Sequence, residues 1–164
     1  MTDKLELKEF FSFWTKVQES ILYMASLLVP EDLKYTFDPK LHTVGDAFYH
    51  IAGAINGWLT EVIKDGEKNP TEKIIPVENL TVEIINETLQ NAFSRCKRLL
   101  NKLSNDDWNK TLTDMGDDGK PYQVKLHWVL WHLVEHDIHH RTQLKLQYSF
   151  LNKRIDEKIY WEEK

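Results

Sequence analysis

The sequence predicts an all-α fold: a single four-helix bundle with long crossover connections over residues 1–164. Three observations predict it. Four segments of about 20 to 25 residues carry apolar side chains in steps of three and four, the period of a helix with one buried face. Runs that alternate apolar and polar residues, the mark of a half-buried strand, are almost missing. The breaks between the segments hold Pro30, Gly66, Pro70, Pro76, Gly116, Gly119 and Pro121, residues that interrupt regular structure.

Helix one is expected over residues 5–28, where Phe10, Trp14, Val17, Ile21, Met24 and Leu28 keep the step. Its aromatic residues read as a core face rather than a cofactor box. Pro30 stops it. The connection EDLKYTFDPKLH leads to Thr43, which with Asp46 makes a capping box of the Ser/Thr-x-x-acid kind. Helix two is expected over 44–64. Ala47, Gly53, Ala54 and Gly57 lie on the side of His50, within about 60° on a helical wheel. Each interior glycine costs about 1 kcal/mol relative to Ala. Either tight helix packing or a close-packed site around His50 must offset that cost.

Residues 65–80 are longer than an ordinary loop and suit a crossover along the bundle. Helix three is expected over 81–103, with Ile85, Leu89, Ala92, Cys96, Leu99 and Leu103 on its seam. Cys96 there reads as a small buried hydrophobe. The stretch SNDDWNKTLTDMGDDGKP, 104–121, reads as a solvated turn, because its acids do not match a calcium-loop spacing. Trp108 is expected to anchor it, and Pro121 to open the last helix. The tail 152–164, with Ile155, Ile159, Tyr160 and Trp161, suits a short helix that caps the bundle or meets a partner.

Helix four, expected over 126–151, carries five of the seven histidines: His127, His132, His136, His139 and His140. On the wheel, His132, His136, His139, His140, Gln143 and Gln147 fall within about 60° of His136. The imidazoles thus take the middle of the apolar stripe, where a bundle helix puts Leu. His127 points away and is expected to be solvated. Burying one unpartnered polar group costs about 1–3 kcal/mol. A lone core histidine bonded to a carbonyl or carboxylate is ordinary; a cluster favours a divalent metal. Histidines at i and i+4 present nitrogens from adjacent turns. His132 with His136, and His136 with His140, both have this spacing, so spacing alone does not choose.

Several classes are excluded or disfavoured. Net charge is -5 without a long basic run, so the electrostatic footprint of a nucleic-acid binder is missing. The longest apolar run, 21–29, is broken by Ser26 and too short for a bilayer. The start, MTDKLELKEF, lacks the apolar core of a signal peptide. The single cysteine excludes an internal disulfide and a cysteine-built zinc site, and it suits a reducing cytoplasm. His136 to His140 can be written H-D-x-x-H, a weak match to the H-E-x-x-H of zinc proteases, and a helical chain offers no sheet to line a protease cleft. Carboxylate-bridged di-iron needs a Glu-x-x-His pair on each of two helices, and these are missing.

The segments TVGDAFYHIAGAINGWL on helix two and LWHLVEHDIHHRTQL on helix four together resemble the DinB-like family, which includes YfiT-like metal-dependent hydrolases and bacterial thiol S-transferases. YTFDPKLH and SNDDWNK also resemble it. The resemblance implies a four-helix bundle, a homodimer and one divalent metal ion, zinc or nickel. It implies three histidine ligands, matched by motif to His50, His136 and His140. The family often ends its motif His-Arg-Gly-Gln; here Thr142 replaces the Gly, which bears on packing rather than on the ligand pair. His132, His139 and Gln143 share the ligand face and would orient ligands or touch substrate, while Glu135 and Asp137 flank it and would orient a ligand histidine. An open three-histidine site leaves a position for water or substrate. Two classes of function follow. One is a metal-dependent S-transferase or hydrolase acting on a small molecule, in the first case with a low-molecular-weight thiol. The other is a non-catalytic metal-binding or stress-related bundle. A substrate-sized cavity beside the ligands favours the first, and a shell closed by a fourth side chain favours the second.

Overall fold

The computed structural model describes residues 7–116 and 118–156. Four helices form the bundle: α1 (Leu7–Ser26), α2 (Val44–Gly57), α3 (Val82–Leu100) and α4 (Leu126–Phe150). The expected core residues of α1 and its exit, Trp14, Val17, Ile21, Met24 and Leu28, are all buried. So are the α3 seam residues Ile85, Leu89, Ala92, Cys96 and Leu99. Both α1 and α2 pack on α3 and on α4, which puts α1 and α2 at opposite corners. Trp14 reaches Asp137 and Met24 reaches Tyr148, so α1 and α4 run the same way. His50 meets His136 while Trp58 meets Trp128, so α2 runs against α4.

Thr43 caps α2 as expected: its hydroxyl accepts from the Asp46 amide at 3.1 Å and donates to the Asp46 carboxylate at 2.8 Å. Past Gly57 the chain keeps turning, but as a wider π-helical turn, Trp58–Ile63, closed by Lys64 at φ 59. The glycine that packing requires is Gly45, where a Cβ would meet the Leu33 carbonyl at 3.0 Å. Gly57 has nothing within 4 Å of that position, so tight helix packing does not explain it.

The long connection from α2 to α3 retraces α2 towards its start. Asp65 pairs with Arg95, Thr71 lies by Gly53, and the Tyr49 hydroxyl donates to the Lys73 carbonyl. This is the expected crossover, and it makes α2 and α3 parallel. Arg95, 3% exposed, pins it: its guanidinium donates to both Asp65 oxygens at 2.6 and 2.7 Å, and to Asn56, Thr60 and the Glu67 carbonyl.

The segment before α4 corrects the expectation of a solvated turn. Strands β1 (Thr111–Met115) and β2 (Pro121–Lys125) form an antiparallel hairpin. Leu112 and Val124 pair across it and are both buried, while most of their neighbours are exposed. One buried pair is too short an alternation to stand out in sequence. Pro121 therefore opens β2, where the first residue of an edge strand need not donate, and α4 begins at Leu126. Trp108 does anchor the segment, stacking on His127 at 5.5 Å. His127 is half-buried rather than solvated, with Nδ1 3.0 Å from the Trp108 carbonyl. In the tail, residues 152–156 are not helical; Ile159, Tyr160 and Trp161 lie outside the described residues. Among the described residues no helix is long and apolar enough to cross a membrane.

Candidate metal centre

Helix α4 has two working faces rather than one stripe with histidines along its middle. Leu126, Val129, Leu130, Leu133, Val134, Leu144 and Tyr148 are buried in the core. The histidines form a row beside them: His132 and His136 are half-buried, His139 is exposed and His140 is buried. Trp128, Leu146 and Phe150, apolar as they are, are exposed. The wheel missed this offset because a polar residue, Asp137, holds a core position. Asp137 is fully buried and accepts a hydrogen bond from Trp14 Nε1 at 2.7 Å.

The row faces α2, and His50 projects into it. One ring nitrogen from each of His50, His136 and His140 lies within 4.8 Å of the others. His50 Nε2 and His136 Nε2 approach to 3.0 Å. Ring centroids are 4.9 Å apart for His50 and His136, 4.8 Å for His50 and His140, and 4.4 Å for His136 and His140. Of the two i,i+4 pairs on α4, His136 with His140 meets His50. His132 instead lies between two indoles: Trp128 stacks on it in parallel at 5.3 Å, and Trp58 meets it edge-on at 5.2 Å.

The electrostatics favour the neutral form of His50, His132 and His140. Burial, then the neighbouring His136 and His42, lower the His50 pKa to about 4. Burial, then His136, His50 and His139, lower that of His140 to about 3, although Gln143 opposes the shift. Burial and His136 lower that of His132, against the pull of Glu135. Neutral imidazole is the form that binds a metal.

The polar neighbours fix which nitrogen each ring presents. His140 Nδ1 lies 3.0 Å from Gln143 Oε1, and Gln143 Nε2 lies 2.9 Å from His139 Nε2. An amide oxygen only accepts, so His140 carries its proton on Nδ1 and keeps a lone pair on Nε2. His136 Nδ1 and Asp137 Oδ1 are both buried without a hydrogen-bond partner, 4.0 Å apart. Burial raises the Asp137 pKa, against the influence of His136 and Trp14. Two facing orphans suit a histidine that gains charge when its far nitrogen binds a cation, because the carboxylate then accepts its N–H. The donor set therefore fits a divalent metal: three imidazole nitrogens converge, and a carboxylate stands behind one of them. Glu135 is exposed, and its charge acts on His132 rather than on the converging rings.

One neighbour is not singled out by the sequence. His42 stacks on His50 at 5.0 Å and meets His140 edge-on at 6.0 Å. Its carbonyl accepts from Gln147 Nε2 at 3.3 Å. It lies in the irregular connection before α2, where no helical wheel can place it. The signal that was available is the His-Thr pair, which sets an imidazole immediately before the Thr43 cap of the helix that carries His50. Asp137→Asn is expected to weaken divalent metal binding by about 10–100-fold while keeping the Trp14 contact. Calorimetric titration of zinc checks it, and an unchanged affinity would remove Asp137 from the site.

Comparison with known proteins agrees with this fold. The sequence model of the DinB family matches residues 1–147. The chain also resembles the crystal structure of a DinB-like protein from Bacillus cereus ATCC 10987. The TM-score is 0.72 at 21% identity, over 92% of this chain and 96% of that one. No curated protein matches the chain.

Proposed function

The chain belongs to the DinB family, and from that premise we propose that it is a metal-dependent enzyme acting on a small molecule, of the thiol S-transferase type, with His50, His136 and His140 as the ligands of one zinc or nickel ion. The observation that carries the proposal is the convergence of three imidazoles, with donor atoms within 4.8 Å and no further His, Cys, Asp or Glu in the group among the described residues. Such a set leaves a coordination position for a substrate. A divalent metal there supplies Lewis acidity and lowers the pKa of a thiol or water that it holds.

The protein's own groups do the rest. Gln143 holds the proton on His140 Nδ1, so that Nε2 stays available. Asp137 orients His136 from behind. Cys96 is buried in the core, and burial together with the Asp137 charge raises its thiol pKa. It is no nucleophile, so the thiol arrives as a low-molecular-weight cosubstrate. The thiol loses its proton, sulfur forms a bond to the electrophilic carbon of an acceptor, and the leaving group departs with its bonding pair. The proposal includes the homodimer that the family resemblance implies and the reducing, cytoplasmic setting that a single cysteine suits.

The test offers metal-loaded protein an electrophilic acceptor together with each of several small thiols. Metal-dependent thiol consumption that His136→Ala abolishes supports transfer. Consumption equal to a protein-free control, or unchanged in His136→Ala, sinks it. Metal-dependent hydrolysis of simple esters or amides without thiol would select the hydrolase instead.

A further inference from the structure

Beyond His50, α2 borders an open cleft of about 240 Å³, lined by Ala54, Gly57, Trp58, Glu61, Val62 and Asp114. One lining residue adjoins the histidine row: the Trp58 ring lies 5.2 Å from His132, and His132 lies 6.3 Å from His136. Two backbone features keep it open. Gly57 has ordinary helical φ of -60 and nothing within 4 Å of a Cβ position. The protein therefore accepts a glycine inside a helix where packing does not ask for one, and the vacated space belongs to the cleft. The π-helical turn then begins at Trp58. Such turns shift side chains out of α-helical register and recur at functional sites; this one sets Trp58, Glu61 and Val62 around the same opening.

The lining has one sign of charge. Among the described residues its two ionisable groups are carboxylates, and no Lys, Arg or His lines it. Glu61 is exposed at the mouth. Asp114, on β1, is held in place by the Tyr122 hydroxyl and the Met115 amide, which both donate to it. Two carboxylates repel anions and attract cations, and an indole beside them is the ring type that best accepts a cation over its face.

We propose that this cleft is a subsite for an organic cation: a small molecule whose ammonium group sits between Glu61 and Asp114 against Trp58, with its other end towards His50, His136 and His140. The subsite deepens the enzymatic reading and rests on it for the direction of the reactive end. In the transfer reaction the acceptor, rather than an anionic thiol, then carries the positive charge.

The probe is choline, which has no amine lone pair to ligate a metal, against its neutral isostere 3,3-dimethylbutan-1-ol. Both are titrated into metal-free protein and followed by amide chemical shifts, with zinc binding measured separately by calorimetry. Choline is expected to shift the Ala54, Gly57 and Trp58 amides saturably, about tenfold more tightly than the isostere. Glu61→Gln should weaken it by a similar factor. Gly57→Leu, whose Cβ has no protein atom within 4 Å, should abolish it by placing a side chain in the cleft. Both variants should bind zinc as the parent does. Equal affinity for the two probes, no saturable shift, or an unaffected Gly57→Leu overturns the subsite. Loss of zinc binding in the parent with choline binding intact would instead overturn the metal reading alone.

Discussion

His50→Ala, His136→Ala and His140→Ala are each expected to weaken divalent metal binding far more than the roughly 10–100-fold that an outer neighbour supplies. The reason is geometric. Three donor atoms share a space within 4.8 Å, and a site that keeps two of three ligands loses both charge donation and the fixed angle between them. His132→Ala and His139→Ala should stay within the outer-neighbour range, because His132 is engaged by two indoles and His139 by Gln143. His127→Ala should change nothing, since its ring is committed to Trp108. Zinc titration by calorimetry separates the groups. If His132→Ala abolished binding while His140→Ala did not, the site would have to move one turn towards Trp128.

Arg95→Ala is expected to destabilise the fold by about 3–5 kcal/mol, the cost of stranding one partner of a buried ion pair. Arg95 is 3% exposed and the Asp65 side chain 8%. Burial, the largest single influence, would raise the Asp65 pKa, but the hydrogen bonds from Arg95 and the Glu67 amide, with the charges of Arg95 and Lys102, together outweigh it and the net shift is downward. A carboxylate with a lowered folded pKa contributes stability above its unfolded pKa, and that contribution is lost as pH falls through the folded value. The variant should therefore lose stability at neutral pH and show a weaker acid dependence than the parent below about pH 4. Urea denaturation at several pH values measures both. A midpoint unchanged at neutral pH would mean that the crossover is held by something other than this guanidinium.

The bundle and the histidine row on α4 were legible because both are written in helical period. The α1 core residues and the α3 seam read directly off the sequence, and so did the Thr43 cap. The choice between the two histidine pairs on α4 was not legible from spacing; the family resemblance singled out the pair that the fold brings to His50. What stayed hidden depends on irregular backbone or on one long-range contact. His42 reaches the rings from a loop. Asp137 turns a helical wheel by taking a core place that only Trp14 explains. The β1–β2 hairpin buries a single cross-strand pair, and the π-helical turn has no period of its own to betray it.

The crossover that runs back along α2 divides the histidines between two parts of the chain: His50 precedes it, and His136 and His140 follow it. Ile74, in the middle of that stretch, is 85% exposed, which makes it an inviting place for a protease to nick. A bound ion would then hold two polypeptides together as well as serve chemistry. Each fragment would contribute two helices to the shared core, and the ion would act as a clip whose grip grows with its free concentration, by RT ln(1 + [L]/Kd). Metal availability would in that case decide whether a nicked molecule stays whole.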